Sequence, residues 1–416
     1  PNPCMQACTR QSAFMVPVDV KKLGQASIAA KAPELPPLTG KSIAVIGGGP
    51  SGLSVAWQLR QMGHEAIIYD MADTLGGKMT SVIPESRIPE DIITSELERV
   101  KRVLPSVHLQ QALSRKDITQ LREDVDFIVV ASGAQKPRTL TVPGNQRLIT
   151  ALEFLQQAKA DNIKPGKRVV IIGAGNVGCD VATEAHRLGS RDITLIDIQE
   201  PASFGIEREA AEAVGANFLW PRFTKEITEE GVVLTTGDLL AADTVVISIG
   251  DAPVLDFLPP EVVVENGFVV VDEHHQTTDP KIFAIGDVVR PGLLTDAIGA
   301  GRKVAHAISE ISEGKRPASD ARQMIDRRRI SLEYFDPRIT SYEDTAHCGS
   351  QCSSCGSCRD CGICIAICPY NAISRLEKGG VDYEYVVDDA RCIGCGFCAG
   401  ACPCGIWDLV VNTPIG

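Results

Sequence analysis

The residues best suited to chemistry are the cysteines, because twelve of the fifteen lie between Cys348 and Cys404. Two stretches, beginning at Cys358 and Cys392, share the spacing C-x2-C-x2-C-x3-C-P. Three thiolates on one short loop can bind three irons of a cubane, and the fourth cysteine of each stretch binds the other cluster. The spacing predicts two 4Fe-4S clusters rather than zinc, whose sites usually group cysteines in twos. The predicted ligand sets are Cys358, Cys361, Cys364 and Cys402 for one cluster, and Cys392, Cys395, Cys398 and Cys368 for the other.

Five further cysteines lie outside these ligand sets: Cys4, Cys8, Cys348, Cys352 and Cys355. One hypothesis is a third cluster, shared between an N-terminal arm that carries the first two and the C-x3-C-x2-C run that carries the last three. The alternative is a protein with two clusters only. In either case we expect that Cys404 is not a cluster ligand.

A glycine-rich turn lies early in the chain. Gly47, Gly49 and Gly52 form a G-x-G-x-x-G pattern between an apolar strand at 41–46 and a helix at 53–62. Such glycines allow a tight turn and the close approach of a pyrophosphate to a helix N-terminus. A second strand ends before Asp70, at a distance where a carboxylate can hydrogen-bond an adenosine ribose. This pattern predicts a dinucleotide site.

A second glycine turn repeats the arrangement at 173–178, between a strand at 168–172 and a helix that ends near Leu188. Asp197 follows the next strand, 24 residues after Gly173. A carboxylate here favours NAD over NADP, because a 2′-phosphate would face an anion. The alternative is a degenerate site in which Asp197 only caps the strand. The predicted NAD contacts are Gly173, Gly175, Asn176, Val177, Gly178, Asp197 and Gly250.

The stretches around these turns resemble one family. They are 70–78, which ends in Gly-Gly-Lys; 83–89, Ile-Pro-Glu-Ser-Arg-Ile-Pro; and the later 283–287 and 296–302. The chain from about residue 3 to 311 is similar to the FAD-containing NAD(P)H module of the glutamate synthase small subunit. Dihydropyrimidine dehydrogenase and transhydrogenase-type flavoproteins share this module. The resemblance implies that Asp287 binds the ribityl chain of FAD and that Cys4 and Cys8 match cluster-binding cysteines. The implied FAD contacts are Gly47, Gly49, Pro50, Ser51, Gly52, Asp70, Gly77, Lys78, Arg87, Gly133, Gly286, Asp287 and Ala297.

The elements that position these residues predict an α/β fold. We expect two Rossmann-like dinucleotide-binding domains of the glutathione reductase-like type, followed by a small α+β ferredoxin domain with a hairpin near 382–387. The expected organisation is an arm at 1–38, an FAD-binding domain at 39–150 and 280–315, an NAD-binding domain at 151–279, a linker at 316–345 and a 2×4Fe-4S ferredoxin-like domain at 346–416.

The composition and net charge of the chain argue against several classes of protein. The chain has 416 residues, of which 44% are hydrophobic, and a formal net charge of −12. That charge disfavours nonspecific nucleic-acid binding, which needs a concentrated positive surface. No apolar run approaches the roughly 18–20 residues that span a bilayer, and no signal peptide opens the chain. We therefore expect a cytoplasmic protein with no nucleic-acid or membrane partner, whose clustered cysteines bind metal.

The predicted chemistry is electron transfer. Between Cys8 and Cys348 the only cysteine is Cys179, which excludes a disulfide-reductase mechanism. We predict no catalytic side chain, because hydride transfer between nicotinamide and flavin is carried by the cofactors. FAD can take two electrons from NADH and pass them on singly to clusters.

We therefore expect an NAD(H)-linked FAD iron–sulfur subunit of a larger redox complex. Its expected partners are ferredoxin-like and 2-oxo acid oxidoreductase subunits, as in phenylglyoxylate dehydrogenase, with NAD+ as the acceptor. The alternatives are an NADH-oxidising donor to a sulfite reductase-type partner and a stand-alone NADH:ferredoxin oxidoreductase. The non-enzymatic alternative is a cluster-bearing scaffold or sensor whose nucleotide sites are inactive.

Overall fold

The computed structural model describes residues 5, 8, 10, 16–28, 34–317, 341–352, 358, 360–379 and 382–409. The chain forms two compact units. The nucleotide unit comprises residues 32–319, and the cysteine unit comprises residues 2–31 together with 320–416. The N-terminal arm thus belongs to the same unit as the cysteine-rich region. Cys4, Cys355 and most of the expected linker lie outside the described residues.

The first Rossmann-like domain follows helix α1 (Val20–Ile28), which belongs to the cysteine unit. In chain order its elements are β1 (Ser42–Ile46), α2 (Pro50–Gln61), β2 (Glu65–Tyr69), α3 (Lys78–Ser81), α4 (Glu90–Lys101), β3 (Ser106–His108), α5 (Arg115–Asp124), β4 (Phe127–Val130) and β5 (Lys136–Pro137).

The second Rossmann-like domain is inserted at this point. Its elements are β6 (Ile149–Thr150), α6 (Ala151–Lys159), β7 (Arg168–Ile172), α7 (Asn176–Arg187), β8 (Asp192–Ile196), α8 (Gly205–Ala213), β9 (Asn217–Leu219), β10 (Thr224–Ile227), β11 (Gly231–Leu234), β12 (Leu239–Ala241) and β13 (Thr244–Ile247). The chain then returns to the first domain with β14 (Asp251–Ala252), β15 (Val264–Glu265), β16 (Phe268–Val269), β17 (Ile282–Ala284) and α9 (Leu294–Ser312).

Each domain is built on a five-stranded parallel sheet. The strand order is β17-β4-β1-β2-β3 in the first sheet and β6-β13-β7-β8-β9 in the second. In the first sheet Ile46 pairs with Tyr69 and with Val130, so the strands end together. Ile172 pairs with Ile196 and Ile247 in the same way. Both glycine turns therefore lie at the carboxyl edge of a parallel sheet, where such folds bind ligands.

The first sheet is covered on both faces, which explains why β1 is almost continuously apolar. Ile43 and Val45 pack in the cluster that contains residues of α2 and α9, whereas Ala44 and Ile46 pack in a second cluster on the opposite face. Alternate side chains of one strand thus enter two cores. The α/β fold class with two Rossmann-like domains is confirmed.

The domain boundaries differ from those expected. Strand β5 pairs with β14 in a two-stranded antiparallel ribbon, and the chain crosses between the domains there. Leu258, Val262 and Val269 pack into the core of the first sheet, so the segment after β14 belongs to the first domain. For the inserted domain we therefore propose limits of about 138–250, where 151–279 was expected for the NAD-binding domain. Strands β14, β15 and β16 are too short to give a periodic signal in the sequence.

The described elements of the cysteine unit after α1 are α10 (Thr345–Ser350), α11 (Ile363–Ile367), β18 (Ile373–Gly379), β19 (Asp382–Val387) and α12 (Phe397–Ala401). Strands β18 and β19 form the expected hairpin. Helices α11 and α12 each follow a left-handed glycine, Gly362 and Gly396, with φ of 70° and 77°. The two cysteine stretches therefore share one local geometry. None of the described helices is long and apolar enough to cross a membrane.

Candidate functional site

The first glycine turn connects β1 to α2. Gly47 has a φ of +109°, and a Cβ atom there would lie 2.5 Å from the carbonyl oxygen of Ala131. A Cβ on Gly52 would overlap the carbonyl oxygen of Gly47. Gly49, in contrast, would place its Cβ within 4 Å of nothing. The turn is therefore tight on its inner side and open at Gly49, where a pyrophosphate would approach the start of α2.

Asp70 lies beside this turn at the end of β2. Its carboxylate accepts hydrogen bonds from the backbone N–H groups of Gly48 at 2.5 Å and Ala72 at 2.8 Å. These bonds fix the carboxylate at the sheet edge. An acidic residue in this position can bind the ribose of a dinucleotide.

The segment after Asp70 folds back over the turn. The N–H of Gly76 donates to the carbonyl oxygen of Gly48 at 2.8 Å, and a Cβ on Gly77 would lie 3.1 Å from the Cα of Gly49. The hydroxyl of Ser132, next to Gly133, is buried and has no hydrogen-bond partner in the described part of the chain. An open cradle beside an orphaned buried hydroxyl fits a bound dinucleotide.

Helix α9 completes this site. A Cβ on Gly286 would lie 2.9 Å from the Ser51 hydroxyl oxygen, and one on Gly301 would lie 2.8 Å from the Ser51 carbonyl oxygen. The two glycines allow the segment 286–301 to pack closely on the first turn of α2. The Ser54 hydroxyl also donates to the carbonyl oxygen of Ile298 at 2.7 Å. The FAD contacts of Asp287 and Ala297, which adjoin Gly286 and Ile298, stay predictions.

The second glycine turn reproduces the first. Gly173 has a φ of +106°, and a Cβ on Gly175 would meet nothing within 4 Å. The Asp197 carboxylate accepts from the N–H of Ala174 at 2.9 Å. Asn176 accepts from the N–H of Phe204 at 3.0 Å through its side-chain oxygen, and its Nδ2 is buried without a partner among the described residues. These residues fit a second nucleotide.

A charged cluster lies where the two sites approach each other. The Lys78 ammonium contacts the Asp251 carboxylate at 2.6 Å, joining the loop of the first turn to strand β14. Burial raises the pKa of Asp287, and the nearby Lys78 opposes that rise. Asp251 follows Gly250 as Asp287 follows Gly286. The repeated Ile-Gly-Asp tripeptide, which sequence reasoning overlooked, was the signal that could have identified Asp251.

Arg87 lies in an unexpected position. Its guanidinium donates to Asp180 on α7 at 2.9 and 3.1 Å and also pairs with Glu207 on α8. The Glu207 side chain is fully buried, and burial raises the pKa of Asp180 although Arg87 opposes it. These partners of Arg87 belong to the second domain. Its contact with FAD stays a prediction, and the ion pairs give it a second role.

The two predicted cluster sites each surround a cavity. The first, of about 320 Å³, is lined by Cys358, Cys361, Cys364 and Cys402 with Tyr383, Tyr385 and Trp407 among its other residues. The second, of about 40 Å³, is lined by Cys368, Cys392, Cys395 and Cys398 with Ile393, Phe397 and Leu409. Each cavity therefore takes its fourth cysteine from the opposite stretch, as the spacing predicts.

Backbone N–H groups point at several of these thiols. The sulfur of Cys368 accepts from Ala372 at 3.3 Å, and that of Cys402 accepts from Ile406 at 3.4 Å. The bond from Ala372 is the main reason why the pKa of Cys368 is lowered. Within the described residues, no three His, Cys, Asp or Glu side chains converge on a single-ion site. Thiols spread around a cavity suit a polynuclear cluster better than one metal ion.

Cys179 lies apart from all these sites. It is fully buried in the core around α7, and burial raises the pKa of its thiol to about 11. The thiol is therefore protonated at neutral pH. This environment suits a packed side chain rather than a redox nucleophile.

Two family models match the chain. The model of the pyridine nucleotide-disulphide oxidoreductases covers residues 41–301, and that of the 4Fe-4S dicluster domains covers residues 357–406. Among solved structures, thioredoxin reductase of T. acidophilum has a TM-score of 0.53 at 20% identity, covering 66% of this chain and 99% of its own. That likeness concerns the fold alone.

Three curated relatives are informative. The NADP(+)-dependent formate dehydrogenase subunit beta of Moorella thermoacetica is 29% identical over 72% of this chain and 48% of its own length. A putative glutamate synthase (NADPH) small chain of Cereibacter sphaeroides is 28% identical over 64% and 76%. The NAD-dependent dihydropyrimidine dehydrogenase subunit PreT of Escherichia coli K12 is 26% identical over 75% and 79%. The predicted resemblance is confirmed, although the chain spans only about half the length of the first relative.

Proposed function

Because the chain belongs to the pyridine nucleotide-disulphide oxidoreductase family, we propose that it is an NAD(H)-linked electron-transfer subunit of a larger redox complex. One observation carries the proposal. Two equivalent glycine turns, each with its own fixed carboxylate, occur in one compact unit, and the same chain supplies two cavities, of which the first is lined by five cysteines and the second by four. These sites match a hydride carrier, a flavin and one-electron centres.

In this proposal, residues of the nucleotide unit bind the two nucleotides and orient them. Gly49 and Gly175 leave the helix N-termini open to phosphate, and Asp70 and Asp197 are held at the adjacent sheet edges to bind ribose. Lys78, fixed by Asp251, keeps a positive charge beside Asp287. FAD, when bound, would exchange electrons in pairs with a nicotinamide and singly with one-electron centres.

The nucleotide preference follows from Asp197. Its carboxylate is held by the Ala174 N–H, so an adenosine 2′-phosphate would approach a fixed negative charge. We therefore propose NAD(H) as the substrate of the second site. The relatives include subunits named for NAD and for NADP, so this preference belongs to individual members.

Anaerobic stopped-flow spectroscopy tests the preference. We expect NADH to reduce the bound flavin at least about tenfold faster than NADPH, a difference of ~1.4 kcal/mol. Asp197→Ser should reduce that ratio, whereas Glu200→Gln, an exposed change on the same loop, should leave it unchanged. Equal rates with both nucleotides in the unaltered protein would contradict the proposal.

The cluster ligands can be tested with two neighbouring thiols. Cys402 and Cys404 both line the first cavity, but the spacing assigns only Cys402 as a ligand. Cys402→Ser should lose roughly four irons per chain, the content of one cubane. Cys404→Ser should keep them. The reverse pattern would show that the ligand set is wrong.

The character of the sites supports a redox protein as the partner, and the type of that protein is proposed from the family resemblance. Electrons that pass through the cysteine unit must leave to, or arrive from, another redox protein. We propose the 2-oxo acid oxidoreductase type, with phenylglyoxylate dehydrogenase as the example, delivering electrons to NAD+. Anaerobic purification from the native source, with mass spectrometry of co-migrating subunits, tests this. Migration alone, with NADH-dependent reduction of free ferredoxin, would support the stand-alone oxidoreductase instead.

A further inference from the structure

The two cysteine stretches differ at a position where the backbone favours glycine. The second residue between the first two cysteines is Asp360 in the first stretch and Gly394 in the second. Both have a left-handed backbone, with φ of 55° and 70°. Glycine adopts this conformation without steric cost, whereas other residues adopt it rarely, although aspartate tolerates it better than most. An aspartate at this position indicates that its side chain has a role of its own.

The β18–β19 hairpin holds the Asp360 carboxylate. Its Oδ1 atom accepts hydrogen bonds from Arg375 Nε at 2.8 Å and from the Tyr385 hydroxyl at 2.7 Å. The guanidinium carbon of Arg375, on β18, lies 4.8 Å from the ring centre of Tyr383 on β19. The Tyr383 hydroxyl donates to the carbonyl oxygen of Cys358 at 2.9 Å. Three side chains of one hairpin therefore fix the backbone at Cys358 and Asp360.

This arrangement directs a backbone donor at a predicted cluster ligand. The Asp360 N–H donates to the Cys358 sulfur at 3.4 Å. Cys358 lines the first cavity together with Tyr383 and Tyr385. Hydrogen bonds to the cysteine sulfurs are among the features that set the reduction potential of a cluster. A donor directed at sulfur stabilises the more negative, reduced form, and therefore raises that potential.

We propose that Asp360 is a positioning residue for the cluster of the first cavity. Its carboxylate, bound to Arg375 and Tyr385, keeps its own N–H directed at the Cys358 sulfur. The reduction potential of this cluster is therefore higher than the same cysteines would give without the hairpin contacts. The inference rests on the proposed function in one respect only, namely that the first cavity holds a 4Fe-4S cluster.

The competing explanation is an effect of charge alone. A carboxylate near the cavity disfavours the more negative, reduced cluster, so removing the charge of Asp360 would raise the potential. Arg375 offsets this charge by pairing with it, and the Asp360 and Arg375 side chains are 35% and 32% exposed, so solvent screens the remainder. Positioning and charge thus predict shifts of opposite sign when Asp360 is removed.

Asp360→Gly separates the two explanations. Glycine suits the observed φ and stands at the same position of the second stretch, so the full chain, purified anaerobically, should fold and keep the iron content of the unaltered protein. In a redox titration followed by electron paramagnetic resonance, the potential of one cluster should fall while that of the other stays constant. The expected fall is up to about tenfold in the reduction equilibrium, or about 59 mV. An unchanged or raised potential would overturn the positioning role.

Glu377→Gln is the matched control for charge. Glu377 is a second carboxylate partner of Arg375, at 3.1 Å, and its side chain is 82% exposed. This variant removes a negative charge from the same arginine but leaves the bonds to Asp360 in place, so both potentials should be unchanged. A fall equal to that of Asp360→Gly would show that the loss of a partner of Arg375 is responsible, and would overturn the proposal.

Two further variants keep the test decisive if Asp360→Gly loses its cluster. Tyr385→Phe removes one hydrogen bond to Asp360 without a change of charge and should lower the same potential by a smaller amount. Asp360→Asn, whose amide oxygen can still accept from Arg375, should restore most of the potential. An unchanged potential in Tyr385→Phe would then overturn the inference. Unaltered protein without a cluster at Cys358 would instead contradict the proposed function.

Discussion

The two glycine turns of the nucleotide unit are nearly identical locally, yet their surroundings differ. In both, the first glycine has a φ close to +107°, at +109° and +106°, and the third position of the motif opens onto empty space. In both, an aspartate accepts from the N–H of the motif's second residue. The motif alone therefore cannot distinguish the two sites.

The difference lies in what covers each turn. The segment 70–77 folds over the first turn through the Gly76–Gly48 bond, and α9 packs closely on its helix. Exposed apolar side chains occur at both turns: Met71, after Asp70, is 72% exposed, and Ile198, after Asp197, is 61% exposed.

A segment folded over the turn, rather than the glycine motif itself, distinguishes a site for a resident cofactor from a site for an exchangeable one. A nucleotide enclosed by a folded-back loop dissociates only when that loop opens. A nucleotide bound at a turn that no such loop covers can exchange in every turnover. The covered first turn is therefore consistent with our proposal that FAD binds there and the nicotinamide nucleotide binds at the second turn.

The largest effect is expected from the same substitution in both turns, which tests which nucleotide each turn binds. Gly49 and Gly175 both have a φ of −76°, which any residue adopts, and their added Cβ atoms meet nothing within 4 Å. Gly49→Ala should therefore fold, but its methyl group would obstruct the pyrophosphate. We expect FAD content to fall at least about tenfold, or ~1.4 kcal/mol.

Gly175→Ala should keep FAD and lose NADH-dependent flavin reduction by a similar factor. Flavin absorbance of the purified proteins and stopped-flow reduction measure the two effects, and thermal denaturation verifies folding. If both variants lost the same cofactor, the assignment of the two turns would be wrong.

A smaller effect is expected at Arg87. Arg87→Met leaves the fully buried Glu207 side chain without this cation, and breaking such a pair costs on the order of 3 kcal/mol. The loss should be larger at pH 8 than at pH 5. Burial already raises the pKa of Asp180, and removing the cation raises it further, so stability falls as the pH rises and the carboxyl group must ionise.

Denaturant unfolding of the nucleotide unit measures this loss. Arg147→Met, which removes an exposed pair with Glu229, is the control and should cost below about 1 kcal/mol. Loss of FAD from otherwise stable Arg87→Met protein would support the flavin contact implied by the family resemblance instead.

The smallest expected effect concerns Cys179. Because burial raises the pKa of its thiol to about 11, the reactive thiolate is scarce at neutral pH. In native protein, Cys179 should remain unmodified by iodoacetamide at pH 7, as read by peptide mass spectrometry. Alkylation of unfolded protein is the positive control. Rapid modification of the native protein at pH 7 would contradict the buried, protonated state.

Local features were predictable from the sequence. The strand–turn–helix units around Gly47 and Gly173 follow from neighbouring residues, and the helix that was expected at 53–62 is observed at Pro50–Gln61. The exchange of the fourth cysteine between the two stretches follows from spacing alone, and the lining of the two cavities agrees with it.

Features that depend on packing between distant segments were not predictable. Arg87 and Asp180 are 93 residues apart, and Lys78 and Asp251 are 173 apart. The hydrogen bond from the Asp19 N–H to the Cys348 sulfur was not predictable either, because no local pattern shows that helix α1 packs on α10. The same limit explains the displaced domain boundaries, since β5 and β14 have two residues each.

The ribbon of β5 and β14 places the beginning and the end of the second domain side by side. The chain enters the second domain after Pro137 and leaves it before Asp251, and these two residues are paired neighbours. Arg138 also donates its N–H to the carbonyl oxygen of Gly250 at 3.0 Å. An insertion whose ends meet can be exchanged as a cassette. We therefore expect that residues 138–250 can be replaced by the corresponding segment of an NADP-specific relative, provided that Asp180 and Glu207, which pair with Arg87 of the first domain, are kept. The exchange should change the nucleotide that the proposed function uses.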